Sequence, residues 1–391
     1  MNILLIVSDL ALGGAQQVVI NLANELVRQN HNIWIFDIKP EIRNKGMLER
    51  LNQKTYLISK NYSEDKLSFK EKIVDYVFYK LKIKTDNKKK LFNKHEQNLQ
   101  KILLNNEVDY VNSHVCWADF FVYDNLKNLH KKWIISLHAS YNALLNSDIN
   151  VDKYGEKAIK TLTTAKKIIY LHNEGISFLE KRLEIEFHKK KKIYNGIPKN
   201  KKYNEFNRKK FNIEKNDFVI LCGSRASKLK GWFELAEAVV KLNNPKIKLL
   251  FAGDGEILDD IKIKFSSNKT NIFFLGFQKK IINLISISDV ICLPSYTEAL
   301  PTILLESIFY NKPVIATNVG ETASILENKE GKCGVLINAN KGRKLVKDLM
   351  NTINSFTLDN LTFDKRAFDK AKEIFSSEKM VQNYLNYFSE S

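Results

Sequence analysis

The chain has 391 residues, 44% of them hydrophobic, and this length predicts two domains because a single core stops growing near ~250–300 residues. The formal net charge of +18 indicates either attraction to an anionic partner or a lysine-rich codon bias. Four scattered cysteines without metal-ligand spacing exclude a disulfide-stapled secreted domain, and no apolar run approaches the ~18 residues of a membrane span. Because the first residues favour a strand over a signal peptide, we expect a cytoplasmic protein.

Short apolar runs rich in Ile and Val predict the strands of the first half of the chain. The runs are continuous rather than alternating, as is typical of parallel strands buried on both faces. They cover residues 2–8, 32–38, 55–59, 108–112, 133–137, 167–171 and 192–194. Helical patterns fall between most of them, as in residues 15–28 with Val18, Leu22 and Leu26 on one stripe.

One basic segment departs from this alternation. Between Lys66 and Lys84, apolar side chains such as Phe69 and Ile73 recur at helical spacing opposite lysines, and the basic run continues to Lys94. Such a helix either lies on an anionic membrane or packs on its own domain with a solvated lysine face. Residues 181–210 form a second basic stretch.

The same alternation restarts in the second half. Predicted strands cover residues 218–222, 246–252, 271–275, 289–293, 313–317 and 334–337. Predicted helices cover residues 231–242, 256–264, 279–287, 301–310, 323–326, 342–354 and a tail at 368–388. Strand–helix alternation of this kind is typical of parallel sheets with right-handed crossovers.

Two such runs predict an α/β fold of two doubly wound, Rossmann-like domains that face each other across a cleft. The domains cover residues 1–195 and 196–367, with the polar, turn-rich residues 195–217 at the boundary. Ligands of open parallel sheets bind at the carboxyl ends of the strands, so we expect one site in the cleft.

Two loops are candidates for holding an anion. Gly13 and Gly14 follow the first strand and open a helix, which favours either an anion cradle or simply a tight turn. Arg225 and Lys230 follow the first strand of the second domain, just before Gly231. Their position favours a diphosphate site over a basic surface loop.

Two carboxylates belong to one strand–loop–helix unit. Glu298 lies in the loop after strand 289–293, Pro301 suits the first turn of the next helix, and Glu306 lies on its second turn. Such a pair can accept hydrogen bonds from the hydroxyls of a sugar and a ribose, although solvated helix-end glutamates would have the same pattern. The helix N-terminus could hold phosphate oxygens.

Histidine offers a proton-handling group near a strand end. His138 follows strand 133–137 and could accept or position a proton near neutral pH. His114 and His172 are rivals at similar positions, and a structural role is the alternative for each. The sequence has no Asp-x-Asp and no Gly-x-Ser-x-Gly, so we expect no metal site, no obligatory divalent metal or other cofactor, and no serine-hydrolase chemistry.

Taken together, these residues and motifs make the chain resemble glycosyltransferase family four along essentially its whole length. The motifs occur in the family's order: Gly13-Gly14-Ala15, the Arg225 to Gly231 loop, Ala252-Gly253-Asp254-Gly255, Leu275-Gly276-Phe277, the Glu298 to Glu306 segment and Pro313-Val314-Ile315-Ala316-Thr317. The resemblance implies a GT-B enzyme that transfers a sugar from a nucleotide diphosphate donor with retention of configuration. It also implies that a helix from residue 368 to 391 packs back on the first domain.

The resemblance also implies roles for single residues. Arg225 and Lys230 would hold the diphosphate and stabilise the leaving group, and Glu306 would bind the ribose. Glu298 and His138 would contact the transferred sugar. The remaining donor contacts would be Gly13 and Gly14 near the phosphate, the backbone amides of Leu300 and Thr302, and Phe277 near the base.

Five residues depart from the family's usual pattern, and they put the identity of the donor in doubt: Gln16, Ala139, Ser224, Ala299 and Glu321. We expect a UDP- or GDP-sugar donor, a glycan or lipid-linked acceptor of bacterial surface polysaccharide, and peripheral contact with the inner face of an anionic membrane through Lys66–Lys94. The alternatives are a nucleotide-sugar epimerase, a non-catalytic partner subunit and a nucleic-acid-binding protein; no nucleic-acid-binding motif supports the last, so we expect no nucleic acid partner.

Overall fold

The computed structural model describes residues 1–11, 13–58, 87–105, 108–138, 141, 144–199, 208–265, 271–358 and 361–390. They divide into two compact units, one of Met1–Ile193 with Val381–Ser391 and one of Tyr194–Met380. The second unit therefore continues to Met380, whereas the sequence placed the end of the second domain at residue 367. The predicted basic helix 66–84 lies outside the described residues, as do residues 200–207 of the second basic stretch.

The first unit is built on a parallel sheet of seven strands in the order β3-β2-β1-β4-β5-β6-β7. The strands are β1 Asn2–Val7, β2 Asn32–Asp37, β3 Tyr56–Leu57, β4 Tyr110–His114, β5 Trp133–Ser136, β6 Lys167–Tyr170 and β7 Lys190–Lys192. The order runs outward from β1 in both directions, which makes the sheet doubly wound. Helices of this unit are Gly14–Arg28, Lys45–Leu48, Asn87–Asn105, Cys116–Asn125, Asp148–Thr164 and Asn173–Leu183 among the described residues.

The second unit repeats the architecture with six parallel strands in the order β10-β9-β8-β11-β12-β15. They are β8 Phe218–Gly223, β9 Ile247–Ala252, β10 Ile272–Phe274, β11 Val290–Leu293, β12 Val314–Thr317 and β15 Gly334–Ile337. An antiparallel pair, β13 Glu327–Asn328 and β14 Gly331–Lys332, was not predicted. The helices are Trp232–Leu242, Leu258–Phe265, Ile281–Ile287, Thr302–Phe309, Thr322–Leu326, Arg343–Leu358, Lys365–Ile374 and Ser377–Ser389, the last of which continues into the first unit.

The apolar runs form the cores, as the sequence predicted. In the first unit Leu4, Ile6, Phe36, Val111 and Trp133 have no exposed surface. In the second unit the same holds for Ile220, Trp232, Leu249, Val290 and Ile315. Burial of both sheet faces explains why continuous Ile and Val runs mark these strands. The predicted α/β fold with two parallel sheets is confirmed.

Two strands are shifted from their predicted places. β4 runs to His114 instead of Asn112, because Ser113 and His114 stay paired with β1 and β5 although they are polar. β7 consists of three half-buried lysines at the sheet edge, where apolar side chains are not required, and it ends before the buried Ile193.

The predicted tail helix 368–388 is two helices, Lys365–Ile374 and Ser377–Ser389. Between them the chain passes Ile197: Ile197 N donates to Phe375 O at 3.0 Å, and Ser377 N donates to Ile197 O at 3.0 Å. The crossing is close, since a Cβ on Gly196 would lie 2.3 Å from Ser376 O. Apolar periodicity does not record this interruption because both helices keep the same spacing. In the described ranges no helix combines the length and apolarity that crossing a membrane requires.

Candidate functional site

The carboxyl ends of β8, β11 and β12 lie side by side at one edge of the second sheet. The three strands are neighbours and parallel, with Val290 opposite Ile220 and Ile291 opposite Val314. The loops that follow them therefore emerge at the same edge. The loops after β8 and β11, together with the helix Thr302–Phe309 that follows β11, carry six of the ten residues predicted for the site.

Lys230 and Glu298 form an ion pair between the loops after β8 and β11. Lys230 Nζ donates to Glu298 Oε1 at 2.6 Å, and Ser295 Oγ donates to the same oxygen at 2.7 Å. The Lys230 side chain is 21% exposed and that of Glu298 12% exposed, so solvent screens the pair only in part. The sequence assigned the lysine to phosphate and the glutamate to sugar; the structure holds both in one hydrogen-bonded group.

Gly231 makes the approach of these two loops feasible. Its φ is +63°, in the left-handed region, and a Cβ there would lie 2.1 Å from Pro294 O. The expected helix begins at Trp232, with Gly231 as its N-cap residue. A side chain at position 231 would push apart the backbones that place Lys230 against Glu298.

Arg225 is exposed on the loop after β8. Within the described ranges, its guanidinium has no ion-pair partner, in contrast to Lys230. The backbone on both sides of Arg225 is hydrogen-bonded: Ser224 N donates to Ala252 O at 3.2 Å, and Ala226 N donates to Asp254 O at 3.0 Å. A rigid base with an uncompensated cation suits the binding of an anion from solvent.

The helix after the β11 loop begins at Thr302, with Pro301 as its N-cap residue. Its first backbone hydrogen bond runs from Leu304 N to Pro301 O at 3.1 Å, so the N–H groups of Thr302 and Ile303 precede the intrahelical pattern. Glu306 lies one turn further along and is half-buried, and Leu300 is buried. The predicted phosphate-holding amides thus lie at a helix N-terminus, close in sequence to Glu298.

Glu321 supports the Glu298 loop, a role that sequence reasoning missed. Glu321 N donates to Ala299 O at 2.9 Å, and its buried carboxylate accepts from Tyr194 Oη at 3.0 Å and from Ser324 Oγ at 2.6 Å. The sequence noted Glu321 only as a departure from the family. Phe277 follows β10, which β9 separates from β8, and it is 51% exposed.

The first unit has its own group of predicted residues at the ends of β1, β4 and β5. Gly14 begins the helix Gly14–Arg28, and Gly13 is its extended N-cap residue. Asp9 Oδ1 accepts from Ala11 N at 3.0 Å and from Gln16 Nε2 at 2.9 Å, which ties the glycine turn to the end of β1.

His138 and His114, expected as rivals, lie together. His114 Nδ1 is 2.9 Å from His138 Nε2. Burial lowers the pKa of His138 to about 4, and burial followed by the neighbouring His138 lowers the pKa of His114 well below its usual value. Both rings are therefore neutral at pH 7. His172 has a structural role, since its Nδ1 caps a helix by accepting from Gly175 N at 3.0 Å.

The predicted residues divide between the units, with Gly13, Gly14 and His138 in the first and the other seven in the second. All four cysteines are buried free thiols. Across the part of the chain that the structure describes, no group of three or more His, Cys, Asp or Glu side chains has an arrangement that could hold a metal ion.

Residues 204–367 match the family model "Glycosyl transferases group 1". A 175-residue alignment gives 29% identity to the Escherichia coli UDP-Gal:alpha-D-GlcNAc-diphosphoundecaprenol alpha-1,3-galactosyltransferase, covering 42% of this chain and 45% of that protein. Over 164 residues the chain is 27% identical to a Campylobacter jejuni GalNAc-alpha-(1->4)-GalNAc-alpha-(1->3)-diNAcBac-PP-undecaprenol alpha-1,4-N-acetyl-D-galactosaminyltransferase, covering 41% of this chain and 44% of that protein. These alignments span about half the length of the curated relatives.

A solved structure is similar along the whole chain. The Anabaena protein HepE, crystallised with UDP and glucose, superposes with a TM-score of 0.70 at 17% identity and covers 100% of both chains. At this identity the likeness establishes the fold. The fold is GT-B, as the sequence resemblance implied.

Proposed function

Since this chain has the GT-B fold and belongs through residues 204–367 to the group 1 glycosyl transferases, we propose that it is an enzyme. It transfers a sugar from a nucleotide diphosphate sugar to an acceptor hydroxyl. The observation that carries the proposal is the Lys230–Glu298 pair beside the N-terminus of the helix Thr302–Phe309. A departing nucleoside diphosphate gains negative charge, and preorganised cations and helix N–H groups stabilise that charge.

The charge of each side chain indicates which part of the donor substrate it binds. Lys230 and the uncompensated Arg225 bind the diphosphate, Glu298 and Glu306 accept hydrogen bonds from hydroxyls, and Leu300 and Thr302 offer backbone amides. Phe277 lies near the base, Gly13 and Gly14 near the donor phosphate, and His138 contacts the transferred sugar, as the family resemblance implies. Retention of configuration rests on that resemblance as well. The absence of an Asp-x-Asp motif and the presence of two cations support transfer without an obligatory metal or other cofactor.

The acceptor is a lipid-linked or other surface glycan, and the donor is a UDP- or GDP-sugar. Two relatives support this proposal by their names, which specify transfer to glycans on a diphosphoundecaprenol or PP-undecaprenol carrier. The UDP bound by the structural neighbour supports a uridine donor. The pathway would be bacterial surface polysaccharide synthesis at the inner face of the cytoplasmic membrane.

Replacing Lys230 by Met tests the site. We expect kcat for transfer to fall about 10²–10³-fold, because one preorganised cation is lost from the leaving group. In calorimetric titrations the variant should bind UDP more weakly than the native chain but bind uridine equally well. Lys228→Met is the matched control, since Lys228 lies exposed in the same turn, which spans Lys228–Lys230.

Three outcomes would contradict parts of the proposal. Unchanged UDP affinity in Lys230→Met would remove the lysine from the diphosphate site. Activity lost in EDTA and restored by Mg²⁺ or Mn²⁺ would show that a metal is required. An epimerised sugar formed from the nucleotide sugar without any acceptor would identify an epimerase.

A further inference from the structure

Two histidine rings meet edge to edge in the first unit. His114 is the last residue of β4, and His138 follows β5, its neighbour in the sheet. Their facing nitrogens are 2.9 Å apart, whereas the ring centroids are 5.2 Å apart with planes inclined by 23°. Because the nitrogens approach so much more closely than the centroids, the contact is a hydrogen bond near the plane of both rings.

Only one of the two facing nitrogens can carry the proton of this hydrogen bond. Both rings are neutral at pH 7, since burial lowers the pKa of each. A neutral imidazole has one N–H and one bare nitrogen. Either His114 Nδ1–H donates to His138 Nε2, or His138 Nε2–H donates to His114 Nδ1.

The surroundings of His114 Nε2, the ring nitrogen that faces away from His138, decide between these two arrangements. His114 is fully buried, and its Nε2 has no hydrogen-bond partner in the described ranges. If His138 were the donor, the proton of His114 would reside on Nε2 as an unpaired, buried N–H group. If His114 is the donor, Nε2 is only a bare acceptor. Orphaned buried N–H groups are rarer in proteins than under-satisfied acceptors, which favours His114 as donor.

The backbone next to His114 is strained. Val115 has a φ of +70°, a conformation that is an outlier for a β-branched residue. It is the N-cap residue of the helix Cys116–Asn125 and turns the chain directly after His114. Strain of this kind persists where the surrounding structure over-determines a position and is concentrated at functional sites.

We propose that His114 Nδ1–H donates to His138 Nε2 and thereby fixes His138 as the Nδ1–H tautomer, a hydrogen-bond donor rather than a base. His114 is then a positioning residue, and the N–H of His138 is available to an oxygen acceptor of the bound donor substrate. The contact between His138 and substrate rests on the proposed function; the tautomer does not. His138 Nδ1 then carries a proton and His138 Nε2 accepts the hydrogen bond from His114. Because neither nitrogen is free to accept a proton, His138 would not deprotonate the acceptor hydroxyl.

The tautomer can be measured without substrate. In the full chain with ¹⁵N-labelled histidine, long-range ¹H–¹⁵N spectra at pH 7 distinguish protonated from bare ring nitrogens. Signals are assigned by their loss in the His138→Gln and His114→Asn variants. We expect both His114 and His138 to carry the proton on Nδ1. A proton on His138 Nε2 would overturn the proposal, whether or not the protein transfers sugars.

Two nearly isosteric variants test the positioning role. The amide nitrogen of Asn is bonded to Cγ, as Nδ1 is, so His114→Asn can still donate, whereas His114→Leu cannot. We expect His138 to remain the Nδ1–H tautomer in the Asn variant and to become a mixture of both tautomers in the Leu variant, where no donor faces Nε2. Transfer by the Leu variant should have a kcat about two- to tenfold below that of the Asn variant, as loss of one hydrogen bond implies.

The outcomes separate two hypotheses: that His114 fixes the tautomer of His138, and that the His138 N–H is used in transfer. An unchanged His138 tautomer in the Leu variant would overturn the role of His114. Equal kcat values in the two variants, with the tautomer shifted, would overturn the use of this N–H in transfer. If the Leu variant does not fold, the tautomer of the native chain and of the Asn variant still decides the direction of the hydrogen bond.

Discussion

Asp119 is a carboxyl group that burial keeps protonated near neutral pH. It has no exposed surface, and its Oδ1 accepts from Ser113 Oγ at 2.5 Å, while Ser113 Oγ accepts from Trp133 Nε1 at 2.8 Å. Burial raises the pKa of Asp119 to about 8, and the hydrogen bond from Ser113 only partly opposes this shift. The free energy of unfolding must therefore depend on pH through this residue.

The linkage between protonation and folding gives the direction in which the free energy of unfolding changes with pH. A raised folded-state pKa means that the stability contributed by neutral Asp119 is complete below its ordinary pKa of 3.8 and is lost as pH rises towards about 8. Relative to Asp119→Asn, the native chain should lose at most about 1.4 kcal/mol of unfolding free energy per pH unit across this range. Thermal melts at pH 5, 6, 7 and 8 measure it. The exposed Asp152→Asn is the control, and a pH-independent difference between native chain and Asp119→Asn would contradict the assignment.

At the scale of elements, the site of the second unit depends on loops that hold one another. The loop after β12 reaches the loop after β11, where Glu321 N donates to Ala299 O and Thr317 Oγ1 donates to Ser295 O. Gly320 has a φ of +55°, and a Cβ there would lie 2.2 Å from Glu298 O. The position of Glu298 is thus set partly by a neighbouring strand.

Gly320→Ala should move the Glu298 loop. The three atoms nearest to the added Cβ all belong to the backbone of Glu298 and Ala299, which cannot give way as a flexible side chain could. Gly342→Ala is the matched control, because Gly342 has a φ of +56° and nothing within 4 Å of its Cβ position. Both variants should lose about 1–2 kcal/mol of stability from the left-handed backbone. Only Gly320→Ala should also lower kcat/KM, by about 10²-fold, because a misplacement of about 1 Å at a catalytic site can cost that much. Equal kcat/KM values would contradict the coupling of the two loops.

At the scale of the whole molecule, the net charge of +18 supports contact with an anionic surface. We propose that Lys66–Lys94 supplies much of this contact. The structure describes residues 87–94 of this segment as part of the helix Asn87–Asn105, and the rest lies outside the described residues.

Vesicle sedimentation tests this membrane contact. We expect the chain to bind anionic vesicles, to release them as salt rises, and to bind neutral vesicles weakly. Replacing Lys88, Lys89 and Lys90 by Gln should weaken binding. A control with the same change in net charge replaces the exposed Lys329, Lys344 and Lys347 of the second unit. Equal binding to neutral and anionic vesicles, or equal loss in both triple variants, would contradict a role for this segment.

The sequence by itself determined the alternation of strands and helices, and with it the two parallel sheets. Each predicted strand of the second unit overlaps an observed one, because a run of Ile and Val buried on both sheet faces is a local property. The sequence also located Arg225, Lys230, Glu298 and His138 after strands, where parallel sheets place ligand-binding residues.

Only the tertiary structure decided which of these residues meet. Lys230 pairs with Glu298, 68 residues away, because β11 lies next to β8, and His114 meets His138 because β5 lies next to β4. Lys167 is buried because its Nζ donates to the carbonyl oxygens of Tyr387, Phe388 and Glu390 at the end of the last helix. The periodicity of the sequence indicates which side chains are buried. The order of the strands and the packing of the last helix on the first unit bring together residues far apart in sequence, and they decide which side chains contact one another.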